Sequence, residues 1–394
     1  MPLAAGFDCL LLLLADDLSP LFALMSAISV VVTQNTHSRK TKMKKTLAAA
    51  IISSVFASGA SYAANIYQGE DGSEVNLYGR LGYNITDKAT DDGDTNGEFD
   101  ARLGLGGSQP INDQFSVIGW AEYQVNAAEA ENSGGDSLSP RYVWAGIDGQ
   151  EMGKVTGGRV ASGLIMFTDI VDVFALSDIA AARQAEVVDG TAVQVFRQDA
   201  TLQYQNSING LDFSVGYIFG NNDKNAFGNS LDNGMNAALR YTLDLGQGGR
   251  LAPVLAYQYS EDKDGNEYNF WGVGATYSIN AFTLGAEYSE DEVDAGGPSK
   301  SKDEVWEVVA IYDLNTDWTL RAGYRNLENT DGDELELKDT TLEAQYHLTS
   351  RSSLFTSYVF RDGKNGTNLS TGKAVNFGGD ADEDFYQLGI RYEF

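Results

Sequence analysis

The stretch "DFYQLGIRYEF", Asp384–Phe394, decides the fold. Tyr386, Leu388, Ile390, Tyr392 and Phe394 share one face of an extended chain. A period of two is the signature of a strand with two unlike surroundings. The same pattern recurs upstream. In "TLEAQYHL", Leu342, Ala344, Tyr346 and Leu348 oppose Glu343, Gln345 and His347. In "FTLGAEYS", Phe282, Leu284, Ala286 and Tyr288 oppose Thr283, Gly285, Glu287 and Ser289. In "WTLRAGYRN", Trp318, Leu320, Ala322 and Tyr324 oppose Thr319, Arg321, Gly323 and Arg325. Similar runs start near Glu74, Gly97, Asp113, Ser139, Leu211, Asn233, Leu251, Tyr268, Asp303 and Leu354.

Three features separate a membrane barrel from a soluble sandwich. The polar face is large and often charged, as when it meets water while the other face meets lipid. Tyr recurs near strand ends on the apolar face, at Tyr217, Tyr241, Tyr257, Tyr277, Tyr288, Tyr312, Tyr324, Tyr346, Tyr358 and Tyr392. Such rings settle at the headgroup level. Connections alternate short and long: "NSING" (Asn206–Gly210), "SINA" (Ser278–Ala281) and "DLNTDW" (Asp313–Trp318) against Thr86–Gly97, Ser289–Lys302 and Arg361–Asp384. These signals predict an all-β, 16-stranded antiparallel transmembrane barrel. In hydrocarbon every backbone polar group needs an internal partner, which a sheet supplies only by closing. Sixteen strands enclose a lumen too wide for side chains to fill, so it holds water.

Composition agrees. Asp and Glu number 56 against 27 Lys and Arg, for a net charge of −29, so nucleic acid is not an expected partner. Gly is abundant at 43 and Pro scarce at 6, which suits extended structure. The single Cys9 cannot form an internal disulfide. "MKKTLAAAIISSVFASGASYA", Met43–Ala63, reads as a bacterial signal peptide: Lys44 and Lys45, an apolar run from Leu47 to Phe56, then Ser61-Tyr62-Ala63. Cleavage after Ala63 leaves 64–394 as the barrel. Residues 1–42 then read as an extension from an upstream start. The other reading, a membrane anchor from Cys9 to Val32, is interrupted by Asp16, Asp17 and Pro20.

One segment breaks the alternation. "SGLIMFTDIVDVFALSD", Ser162–Asp178, is too apolar for a solvated loop and too irregular for a strand.

The chain resembles the general diffusion porins of Gram-negative bacteria, the trimeric OmpC/OmpF-like family. The residues that carry this are Ala64–Tyr83, Asp100–Gln124, "GKVTGGR" (Gly153–Arg159) and the terminal "LGIRYEF". The resemblance implies a homotrimer with one pore per subunit, no cofactor, no metal and no catalysis. It marks Phe394 as an assembly signal. It also implies that the third long loop, residues 160–190 between the fifth and sixth strands, folds into the barrel and narrows it. Leu164, Ile165, Met166, Phe167, Ile170, Val171, Val173, Phe174 and Leu176 would then pack on the inner wall, with Asp169, Asp172 and Asp178 facing the gap. The family's Pro-Glu-Phe-Gly-Gly loop signature is absent, so the choice of lining acids stays open. Opposite the loop, the resemblance places basic residues at Arg80, Arg102, Arg141 and Arg197, with Arg159 where the loop leaves the fifth strand. Parity independently puts Arg80 and Arg102 inside, because Val75, Leu77, Leu81, Tyr83 and Phe99, Ala101, Leu103, Leu105 take the lipid side. Arg321 and Arg325, which the resemblance does not single out, read as wall cations that solvate a polar face or pair with a neighbouring carboxylate.

The expected activity is passive, cation-preferring passage of ions and small hydrophilic solutes in the cell outer membrane, with lipid and lipopolysaccharide as surroundings. Loop acids could hold divalent cations that bridge lipopolysaccharide. An outer-membrane enzyme would generally need a His base. Only His37 and His347 exist, the first before the expected barrel and the second beside a short turn. Zinc spacing is absent. "DGDTNGEF" at Asp92 fails as a calcium loop because Leu103 stands where a bidentate Glu belongs. The alternatives are a substrate-specific channel or a surface adhesin or receptor barrel. Sugar-specific barrels line the lumen with aromatics, whereas here most aromatics fall on the lipid-side parity, with Tyr78, Trp120 and Tyr268 among the exceptions.

Overall fold

A computed structural model describes residues 63–88, 95–126, 137–175, 197–220, 230–294, 300–367, 374–375 and 380–394. Residues 43–62 of the proposed leader, Cys9, His37, Leu176 and Asp178 lie outside the described residues.

Sixteen long strands make the wall: β1 Glu74–Thr86, β2 Asn96–Pro110, β3 Ser116–Val125, β4 Leu138–Asp148, β5 Lys154–Ala161, β6 Arg197–Ile208, β7 Leu211–Phe219, β8 Leu231–Tyr241, β9 Arg250–Asp262, β10 Glu267–Ile279, β11 Phe282–Asp294, β12 Lys300–Asp313, β13 Trp318–Asp331, β14 Glu336–Thr349, β15 Ser352–Lys364 and β16 Phe385–Glu393. Neighbours in sequence pair antiparallel, and β16 pairs with both β15 and β1, which closes the sheet. A short strand, Ala64–Gln68, continues the line of β16 along β1. It pairs with Glu74–Leu77, below the Arg80–Thr86 stretch that β16 occupies.

The alternation becomes two surfaces. Leu81, Phe99, Leu103, Leu105, Leu202, Leu284, Leu342, Leu388 and Ile390 stand exposed on the outside. In water so broad an apolar band would be an aggregation surface; against lipid it is the solvated face. Aromatic pairs mark its edge. Trp271 meets Tyr288 at 5.4 Å and Trp306 meets Tyr324 at 5.1 Å between ring centroids, across β10 to β13. Trp318 and Tyr346, 4.9 Å apart, belong to the short-turn end. Beyond the first belt the outward residues become charged, with Lys302 bridging Glu290 and Glu304 at 3.0 and 3.1 Å.

Local signals set the turns. Asn209 and Gly210, both with positive φ, join β6 to β7 as a two-residue hairpin loop. The strand expected from Asp113 starts instead at Ser116. The Asn112 side chain accepts from the backbone N–H groups of Gln114 and Phe115 at 2.9 and 3.0 Å, holding those residues in a turn. The strand expected near Asp303 starts earlier, at Lys300, which pairs with Asp294 in register and by a 2.5 Å ion pair.

Two apolar clusters lie inside. The larger joins the segment after β5 to β8–β12. The smaller joins Leu335 and Ala381, from the connections before β14 and β16, to Val305, Leu327 and Leu337.

A narrowed lumen as the candidate functional site

The segment that broke the alternation turns inward as soon as β5 ends. Gly163 passes close to β7: a Cβ there would sit 2.2 Å from the Cβ of Ser214. A single helical turn follows, α1 Ile165–Thr168, with all four residues buried. Leu164, Met166, Phe167, Ile170, Val171 and Phe174 pack on Ala238, Val254, Ala256, Tyr268, Phe270, Val293 and Val309 of the inner wall. Phe167 meets Phe270 edge-on at 5.7 Å.

The wall is shaped for this segment. A Cβ on Gly272 would lie 2.5 Å from the Phe167 ring, and one on Gly274 would lie 2.6 Å from Ile170 Cδ1. A Cβ on Gly285 would lie 2.6 Å from the Ile170 carbonyl. Inward-facing glycines in a strand mark close approach by another backbone, and that was the missed signal in "WGVGATYS" and "TLGAEYS". The segment is then fastened at Ala175. Its N–H donates to both carboxylate oxygens of Glu343 on β14 at 3.0 Å, and its carbonyl accepts from Arg391 on β16. Glu343 is itself held by Arg321 at 2.8 Å, and the Arg391 guanidinium lies over the Phe355 ring. Arg325, likewise, pairs with Asp339. Strand parity put Glu343 on the polar face without giving it this role, and Arg391 was not named from sequence.

Between Ser162 and Val171 every residue is buried except Asp169, which is exposed; Asp172 is half-buried. Asp178 lies outside the described residues, so only two of the three expected acids are placed.

The arginines stand on other strands. Arg80 on β1 and Arg102 on β2 are direct cross-strand partners. Arg80 contacts Glu393 at 2.6 Å and Asp100 at 3.8 Å, and Arg102 contacts Asp100 at 3.7 Å. Arg141 pairs with Glu122 at 2.9 Å, and Arg159 pairs with Asp199 at 2.7 Å. Arg159 also donates to the Arg141 carbonyl, which ties β5 to β4. Arg197 opens β6, opposite Ala161 where the segment departs. The five arginines expected from the sequence therefore lie on β1 to β6, while the inserted segment covers β8 to β12. Of the carboxylates that balance the arginines, parity puts Asp100 on the same face as Arg102, while Glu122 and Glu393 were not anticipated.

A match to the Gram-negative porin family model covers residues 46–366. The chain belongs to the Gram-negative porin family. Relatives span the same length. The porin is 28% identical over 373 residues to outer membrane protein U of Vibrio parahaemolyticus, and 25% identical over 381 residues to outer membrane porin F of Salmonella typhi. In both cases 89% of this chain and all of the relative are covered. Among solved structures, the Salmonella typhi OmpF complex with daunomycin superposes with a TM-score of 0.66 at 21% identity, covering 84% of this chain and all of that one. An anion-selective porin from Comamonas acidovorans superposes with a TM-score of 0.66 at 18% identity, covering 82% of this chain and all of that one. This porin is an outer-membrane protein, as its family and relatives are.

Proposed function

We propose that this porin is a general diffusion channel, passing ions and small hydrophilic solutes passively and preferring cations. The observation that carries this reading is Asp169, the one exposed residue among residues 162–175 of the segment that packs on the inner wall. With Asp172, and Asp178 beyond the described residues, it would put acid on one side of the waterway. Arg80, Arg102, Arg141, Arg159 and Arg197 would put base on the other. Opposed fixed charges across a narrow aqueous gap create a transverse field that orients water and polar solutes. Bulky apolar solutes lose by disrupting that water. Family membership favours a channel over a catalyst.

The fold alone does not set ion preference, since an anion-selective porin shares it. Preference must come from residues. Arg80, Arg102, Arg141 and Arg159 each have a carboxylate within salt-bridge distance, so their positive charge is largely offset. The exposed Asp169 adds acid on the segment side of the waterway, which favours cations.

Assembly into homotrimers agrees with a fold neighbour, OmpT of Vibrio cholerae, described in a trimer form. Lipopolysaccharide is the proposed outer-leaflet partner. The outward charges Glu290, Lys302 and Glu304 sit just beyond the aromatic belt, where headgroups begin.

The test is the reversal potential of the purified protein in a planar bilayer under a KCl gradient. Conductance steps in threes with a cation-selective potential are expected, and Asp169→Asn with Asp172→Asn should move that potential toward zero. An unchanged potential in the double variant would remove the segment acids from the selectivity mechanism.

A further inference from the structure

We propose that the inner wall of β1–β4 holds a subsite for aromatic carboxylates, built from Arg102, Trp120 and Trp144. The proposal rests on the channel reading and adds a solute class to it.

Arg102 is the least compensated arginine of its group. It stands directly across from Arg80, and like charges opposite each other in a sheet are unfavourable. The two share Asp100, whose Oδ1 also accepts from Gln124 at 3.0 Å. Arg80 has a second carboxylate, Glu393, at 2.6 Å, and Arg141 has Glu122. Arg102 has only the 3.7 Å contact, and its Nε has no hydrogen-bond partner among the described residues. Its Nε is covered, but the side chain as a whole keeps 23% of its surface accessible, so a solute can reach the rest of it. A guanidinium with free donors binds a carboxylate by paired charge-assisted hydrogen bonds.

An aromatic floor adjoins it. Trp120 faces inward, and its ring lies over Gly104 and Gly106 of β2, where added Cβ atoms would sit 2.7 and 2.4 Å from it. Gly104 is the next inward position after Arg102, roughly 7 Å along the strand. The indole and the Arg102 side chain thus occupy successive inward positions of the same wall. Trp144 is the direct cross-strand partner of Trp120, so it shares the inward face. Tyr78, 6.4 Å from Trp120 between centroids, is buried and backs the indole. A flat ring bearing a carboxylate fits both features at once, the ring against indole and the charge on Arg102. The apolar band outside accounts for none of these rings, which sit on the water side of the wall.

The test is blockade of single-channel KCl current by sodium benzoate, with sodium acetate and benzyl alcohol as probes of charge alone and ring alone. Benzoate should block at a concentration about tenfold below either. Trp120→Leu should bring benzoate to the acetate value, and Arg102→Gln should bring it to the benzyl alcohol value. Arg102→Lys, which keeps charge without the planar fork, should lie between. The KCl steps in the same trace report folding and opening: no steps in the unsubstituted protein would sink the channel reading itself. Steps with benzoate no better than acetate would overturn the subsite alone. Equal benzoate blockade in wild type and Trp120→Leu would reduce it to a bare anion site, which also overturns it.

Discussion

Gly272 and Gly285 hold the inserted segment by what they lack. Their strands could carry any inward side chain if the lumen were empty there, yet a Cβ at Gly272 would lie 2.5 Å from the Phe167 ring. Gly272→Val should therefore force the segment off the wall or strain it, costing about 1–3 kcal/mol of stability. Urea unfolding in lipid vesicles checks the loss, with single-channel conductance reporting whether the segment has moved. A second residue-scale case is Asp333, in the connection between β13 and β14. Its Oδ1 accepts from the Leu335 N–H at 2.8 Å, while burial raises its carboxyl above the ordinary range against that bond. A raised acid favours the protonated native form. Its contribution to the Leu335–Ala381 cluster is fully present below the unfolded pKa and is lost as pH rises through the folded one. Amide exchange at Leu335 and Ala381 should therefore be slower near about pH 4 than near about pH 7, beyond the intrinsic pH effect on exchange. Asp333→Asn should remove that difference; a pH response unchanged in the variant would contradict the assignment. Neither case was legible in the sequence, because the atoms that crowd Gly272 or bury Asp333 belong to other elements.

At the scale of elements, the strands were legible and the segment's fastening was not. Parity in "TLEAQYHL" correctly separates Leu342, exposed to lipid, from Glu343, buried inside. That separation is itself testable. Leu342→Arg should cost about 2–4 kcal/mol in refolding into vesicles, and Gln345→Arg, on the water side, much less. Equal costs would mean the faces are misassigned. The inserted segment announced itself by its broken alternation and high apolar content. Its end point did not, because Ala175 is clamped by Glu343, 168 positions away, and by Arg391, 216 away. The arginine partners are as remote: Arg80 and Glu393 are 313 positions apart. A sequence gives side-chain direction by period, but ion pairs across a closing seam follow from register. Glu343→Ala should free the segment at Ala175 and leave Arg321 unpaired. Single-channel records should then show more current noise and a broader spread of open conductances, with β-content by circular dichroism unchanged. Glu343→Gln, which retains an acceptor, should recover part of the quiet state. A quiet, uniform Glu343→Ala channel would show that the clamp does not set the aperture.

At the scale of the molecule, closure and insertion together define the account. The barrel places lipid-facing and water-facing residues on every strand, and the porin family follows from the whole length rather than from one motif. Within that plan the segment from Ser162 to Ala175 packs on β8–β12 and leaves Asp169 exposed. The most direct measurement is the single-channel current of Asp169→Cys before and after a charged, membrane-impermeant thiol reagent. A segment inside the waterway predicts an abrupt, irreversible fall in current on modification, larger for the bulkier reagent and absent in the unsubstituted protein. Full modification of the cysteine with no change in current would contradict it, placing Asp169 away from the path of ions.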